Sequence, residues 1–134
     1  MTRVFLDANV LFTAAHNPGG KAALVIELGV QGQWQLFTSA YAIEEARRNL
    51  QRKFPQATET LEQSLPALRL SSHRQGMPQL PRLPDKDQPI FQAALACGTT
   101  HLLTGDLRDF GAFMNRPDET HGVLIQTVGQ FLAE

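Results

Sequence analysis

The chain has 134 residues, 43% of them hydrophobic, a single cysteine and a formal net charge of −1 at pH 7, which suits one compact domain over residues 1–134 with a core of its own. The lone Cys97 excludes an internal disulfide and fits a reducing compartment. No run approaches the about 18 apolar residues of a membrane span and no secretory leader pattern is present. The expected location is therefore cytoplasmic, and any attraction for a polyanion must come from a local patch or a bound metal.

"TRVFLDANV" reads as a strand ending at Asp7, after which Val10, Leu11 and Phe12 resume the apolar run. "GGKAALVIELGVQGQ" is an amphipathic helix closed by glycines, and "WQLFTS" a short strand. Ser39 caps a helix over "AYAIEEARRNLQRKF", which meets Pro55. A further helix over "QATETLEQSLPAL" breaks near Pro66, and "LRLSS" is a candidate strand. "HRQGMPQLPRLP", with three prolines and no periodicity, reads as a loop or lid. "DKDQPIFQAALACG" has an acidic, proline-bearing first turn and continues as an apolar helix to Gly98, with Cys97 as a buried small side chain. "THLLTGD" is a strand, "LRDFGAFMNRPDETHG" irregular or a short helix, "VLIQT" a final strand and "VGQFLAE" a partial helix.

Strands alternating with helices imply right-handed crossovers and a parallel sheet covered on both faces. Ligands of such sheets bind beyond the carboxyl ends of the strands, where the strand order reverses. Asp7 and Asp106 both end apolar strands at that rim. Glu44 and Glu45 are expected in the first turn of the helix leaving the same rim, and Asp85 and Asp87 open the helix that leads to the Asp106 strand. At least four carboxylates can therefore converge: Asp7, one of Glu44 and Glu45, one of Asp85 and Asp87, and Asp106, with Asp109 close behind.

Singly, most have ordinary explanations. Asp87 suits a helix N-cap, and Glu44 and Glu45 suit the positive end of a helix dipole. Capping explains Asp7 poorly, because it stands between two apolar runs and a buried charge costs several kcal/mol unless compensated. Four carboxylates about 4 to 5 Å apart repel pairwise by a few kcal/mol at an effective dielectric near 20. A cation relieves that repulsion, and an all-oxygen donor set selects Mg2+ or Mn2+. Such an ion, keeping positions open for water and phosphate oxygens, serves phosphodiester hydrolysis best.

"VFLDANVLF", "FTSAYAIEEARRNL" and "DKDQPIFQAALACGTTHLLTGDLRDF", in that order and over nearly the whole chain, resemble a PIN domain, including the toxin nucleases of bacterial toxin–antitoxin pairs. The resemblance implies a three-layer α/β/α sandwich around a mostly parallel sheet. It implies a Mg2+- or Mn2+-dependent endoribonuclease that leaves a 5′-phosphate and a 3′-hydroxyl. Carried onto this chain, the metal ligands and catalytic acids are Asp7, Glu45 (Glu44 the fallback), Asp87 and Asp106. Asp109 is an accessory metal ligand, Asp85 a loop residue, and Asn9 and Thr104 polar neighbours that orient the ligands. The implied partners are RNA, a small antitoxin that blocks the site, and a second copy of the chain.

Of the basic residues in "ARRNLQRKF" (Arg47, Arg48, Arg52 and Lys53), Arg48 and Arg52 share a helix face and are candidate phosphate contacts; Arg74, Arg82 and Lys86 are weaker candidates for the same groove. His16, His73, His101 and His121 show no metal-ligand spacing. A phosphatase using Asp7 as nucleophile would ordinarily carry a second acid where this chain has Asn9. A Mg2+-binding scaffold domain would gain support from a missing carboxylate, and the full set is present.

Overall fold

The computed structural model describes residues 1–71 and 76–133, so that His73, Arg74 and the chain end at Glu134 lie outside the described residues. Its strands are β1 (Arg3–Leu6), β2 (Gln35–Thr38), β3 (Arg69–Leu70), β4 (His101–Leu103) and β5 (Leu124–Gln126). All pairings are parallel, in the order β3-β2-β1-β4-β5. Val4, Phe5 and Leu6 are fully buried, the unbroken apolar run that a central parallel strand covered on both faces requires. The chain walks outward from β1 through β2 to β3, then returns to place β4 on the other side of β1. The order therefore reverses between β1 and β4.

The helices are α1 (Ala8–His16), α2 (Lys21–Val30), α3 (Ala40–Lys53), α4 (Thr58–Ser64), α5 (Gln88–Ala96), α6 (Leu107–Phe110) and α7 (Val128–Leu132). Helix α1 packs against α2, α3 and α4, and α7 joins that group through α2. Helix α5 packs on β2 and β4, which completes the three-layer α/β/α arrangement. Among the described residues, no helix is long and apolar enough to cross a membrane.

Two features depart from the sequence-based expectation. The sequence pattern assigns no element directly after Asp7, yet the chain enters α1 at once, burying Ala8, Val10, Leu11, Ala14 and Ala15. The β-favouring side chains of Val10, Phe12 and Thr13 mask that helical stripe in the sequence. The proline-rich segment is irregular as expected, but its described part is held down. Leu80 and Leu83 are buried, and the Gln88 side chain bonds the backbone of both. The Gln92 amide also donates to the Met77 carbonyl. These contacts fasten residues 77–83 to the start of α5, and so fix where Asp87 sits.

Candidate active site

The site is built at the carboxyl ends of β1 and β4. Asp7 follows β1 directly, and its backbone N–H donates to the Leu103 carbonyl of β4 at 3.1 Å. Capping turns out to be part of what holds it. Asp7 is the N-cap of α1, with Oδ1 accepting from the Ala8 N–H at 2.6 Å. Its Oδ2 accepts from the Thr104 hydroxyl at 2.7 Å and from Asn9 Nδ2 at 3.2 Å. Asn9 also donates to Thr104 Oγ1 at 3.1 Å and accepts the Gly105 N–H at 2.6 Å. A side chain at Gly105 would press on Asn9 Oδ1. The start of α1 and the end of β4 are thus laced together through two polar side chains.

Three hydrogen bonds do not fully compensate Asp7. Burial pushes its carboxyl up to about 6, against the pull of the Thr104 and Ala8 bonds, and the charges of Glu45 and Asp106 push it further. Glu45 and Asp106 therefore stand near enough to Asp7 for their charges to act on it.

Asp87 ends a short 3-10 turn, Asp85–Asp87, and precedes α5 without capping it by its side chain. Its carboxylate instead faces Lys86 Nζ at 3.2 Å, and Lys86 Nζ reaches Asp109 at 2.7 Å. Burial, together with the Asp109 carboxylate beside it, pushes the Asp87 carboxyl up to about 7, against Lys86. Lys86 holds the Asp109 carboxyl below the usual carboxylate range. Asp106 caps α6, accepting the Asp109 N–H at 3.1 Å, so that one short helix presents two acids to the rim. Asp87, Asp106 and Asp109 each offer an oxygen, and the three lie within 4.8 Å of one another. That donor set fits a hard divalent cation.

The two glutamates separate cleanly. Both lie in the second turn of α3 rather than the first, so the helix dipole, which acts within a turn of the end, does not account for them. Glu44 points outward to Arg47, which also binds Glu62 at 2.8 Å. Glu45 is partly buried, and its charge acts on Asp7 and Tyr41. Asp85 is exposed. Of the basic residues on α3, Arg47 is committed to ion pairs and Lys53 lies over the Phe12 ring. Arg48 acts electrically on Tyr41 beside the acids. Arg52 is exposed a turn further on and bonded to Asn49 at 2.9 Å. Beside Asn9 and Gly105 a cleft of about 410 Å³ runs toward Lys21 and Thr127.

The family profile described as PIN domain matches residues 3–108 of the sequence. The chain belongs to the PIN domain family. Its fold is similar to that in the crystal structure of VapBC2 from Rickettsia felis bound to a DNA fragment from their promoter. The TM-score is 0.65 at 13% identity, over 94% of this chain and 98% of that one. It is also similar to VapBC-1 from nontypeable Haemophilus influenzae, with TM-score 0.61 and 13% identity, over 96% of this chain and 99% of that one. No curated protein matches the sequence.

Two residues at this PIN domain's rim were not singled out as part of the acidic site from sequence. Lys86 read as one more cation of the proline-rich segment, yet its ammonium stands between two of the acids. Tyr41 carried no signal at all. Its hydroxyl donates to the Lys86 carbonyl at 2.6 Å, and burial and the charges of Glu45 and Asp87 raise its pKa. For Tyr41 the informative feature is a contact between α3 and the turn before α5, more than 40 residues apart in sequence, and for Lys86 it is the approach of α6 to that turn.

Proposed function

We propose that this PIN domain is a Mg2+- or Mn2+-dependent endoribonuclease, the toxin of a toxin–antitoxin pair. The catalytic acids are Asp7, Glu45, Asp87 and Asp106, with Asp109 as an accessory ligand. The observation that carries the reading is the meeting of Asp87, Asp106 and Asp109 oxygens within 4.8 Å at the reversal point of a parallel sheet. Asp7 and Glu45 are electrically coupled to the same rim. Membership of the family and the likeness to two VapBC structures support the toxin assignment, and with it a small antitoxin that covers the site and a cytoplasmic location.

A divalent ion bound there supplies Lewis acidity to the scissile phosphate and to the attacking water. Asp7, Glu45, Asp87 and Asp106, with Asp109 as accessory ligand, would supply the oxygens that hold it. Thr104 and Asn9 fix the Asp7 carboxylate in one orientation, so that Oδ2 keeps its direction when the charge around it changes. Arg48 at the rim, Arg52 beyond it and Lys21 in the adjoining cleft attract the phosphate backbone of RNA. The chain's net charge gives no such attraction by itself. A homodimer belongs to the same reading, and α2 leaves Leu24 and Val30 exposed for it.

The test is cleavage of a mixed-sequence, fluorescently labelled RNA with and without Mn2+, using wild type beside Asp87→Asn. Cutting that requires the metal and is lost in the variant is expected. Equal cutting by both proteins would assign the activity to a contaminant and refute the role of Asp87.

A further inference from the structure

Among the described residues, Lys86 is the cation that forms ion pairs with the converging carboxylates. Its Nζ lies 2.7 Å from Asp109 and 3.2 Å from Asp87, two of the three carboxylates that converge there. The acids are nearly enclosed, their side chains 11% and 15% exposed, whereas the Lys86 side chain is 68% exposed. Packing therefore does not hold the ammonium in place; the two negative charges do. The backbone beneath it is fixed, because the Tyr41 hydroxyl on α3 donates to the Lys86 carbonyl.

We infer that Lys86 is a built-in counter-cation, which bridges Asp87 and Asp109 when no divalent ion is present and must withdraw for one to bind. The inference rests on the metal-dependent reading above. A lysine is the right group for an exchangeable cation. Its charge is a compact, strongly hydrated ammonium on a flexible four-carbon stem, so it returns to water without disturbing the backbone that Tyr41 anchors. A well-exposed cation also binds carboxylates weakly, which keeps the exchange with a divalent ion within reach. An arginine buried in a bidentate clasp would not be so easily displaced. The same residue thereby relieves carboxylate repulsion in the metal-free protein and sets the affinity of the site for its ion.

Isothermal titration of the full chain with MnCl2 tests this, comparing wild type, Lys86→Met and Arg108→Met, with melting in EDTA confirming that each protein is folded. Arg108 is exposed on α6 between Asp106 and Asp109, so its removal subtracts the same charge from the acidic rim. Lys86→Met is expected to bind Mn2+ about fivefold more tightly than wild type, the factor that follows from losing an exposed ion pair. Arg108→Met should change the affinity by less than about twofold on the same scale. Equal or weaker binding by Lys86→Met overturns the inference, and so does equal tightening in Arg108→Met, which would make the effect one of net charge. Absence of Mn2+ binding in both wild type and Lys86→Met would refute the metal-dependent reading itself. Binding by the Lys86→Met protein alone would be the strongest form of the expected result.

Discussion

Asp7→Asn should stabilise the metal-free protein at pH 8, although it alters a buried side chain with three hydrogen bonds. The folded-state carboxyl titrates at about 6 against 3.8 for the free group. At about 1.4 kcal/mol per pH unit, that difference amounts to roughly 3 kcal/mol. The folded chain holds the proton more tightly than the unfolded chain does. This contribution is fully present below pH 3.8, is lost as pH rises through about 6, and leaves the ionised carboxylate as a net cost above that.

Asparagine removes the charge and keeps an oxygen for the Ala8 N–H. Its amide nitrogen meets a second donor in Asn9 Nδ2, and Thr104 Oγ1, which already accepts from Asn9 Nδ2 and the Asp106 N–H, can take its bond only in exchange for one of those, a loss of about 1 kcal/mol. The net gain at pH 8 is therefore about 2 kcal/mol, or roughly 5 to 10 °C in melting temperature for a chain of this size. Near pH 4.5 the gain should fade to about zero, since most of the wild-type carboxyl is then protonated. Thermal and urea unfolding in EDTA at the two pH values measure both numbers. A variant less stable than wild type at pH 8, or an offset that does not change with pH, would refute the claim that the buried charge is undercompensated.

Saturating Mn2+ should raise the melting temperature of wild type, because binding to the folded state alone stabilises it by mass action; Asp106→Asn should respond less, and an equal response would remove Asp106 from the ligand set. Glu45→Gln should lose far more RNA cleavage than Glu44→Gln. Losing the exposed Glu44–Arg47 pair should cost under about 1 kcal/mol of stability, which urea unfolding reads directly, and the reverse order of activities would place Glu44 in the site.

The acids were legible because chemistry and topology agree on where they stand. Asp7 and Asp106 close apolar strands, and the carboxyl ends of parallel strands form the rim on which ligands bind. Helix α1 was not legible. Apart from Asn9, its first residues, Ala8, Val10, Leu11 and Phe12, are apolar or β-favouring, and the buried positions follow a helical stripe only when Ala8, Ala14 and Ala15 are given the weight of core residues. Missing α1 also hid the capping role of Asp7. The choice between Glu44 and Glu45 depends on which way each leaves α3. The bond from Arg47 to Glu62 on α4 is what draws Glu44 outward. The bridging position of Lys86 depends on a turn and a short helix from different parts of the chain, and no local pattern encodes that.

The carboxylates of this site are relieved in two different ways. Asp7 is compensated by the fold: an amide at the start of α1, a hydroxyl at the end of β4, and an asparagine that binds both the carboxylate and that hydroxyl. The Ala8 amide is part of the backbone of α1, and the Thr104 and Asn9 bonds tie α1 to the end of β4. Asp87 and Asp109 are compensated by a flexible, mostly exposed ammonium, which can leave at the cost of two ion pairs. On the proposed reading, a divalent ion entering the site therefore displaces the Lys86 contact and leaves the Asp7 contacts intact. The Asp7 side keeps its geometry through loading while the Asp87–Asp109 side exchanges partners. The Asp7→Asn and Lys86→Met measurements accordingly probe opposite sides of one charge balance, the first through stability against pH and the second through metal affinity.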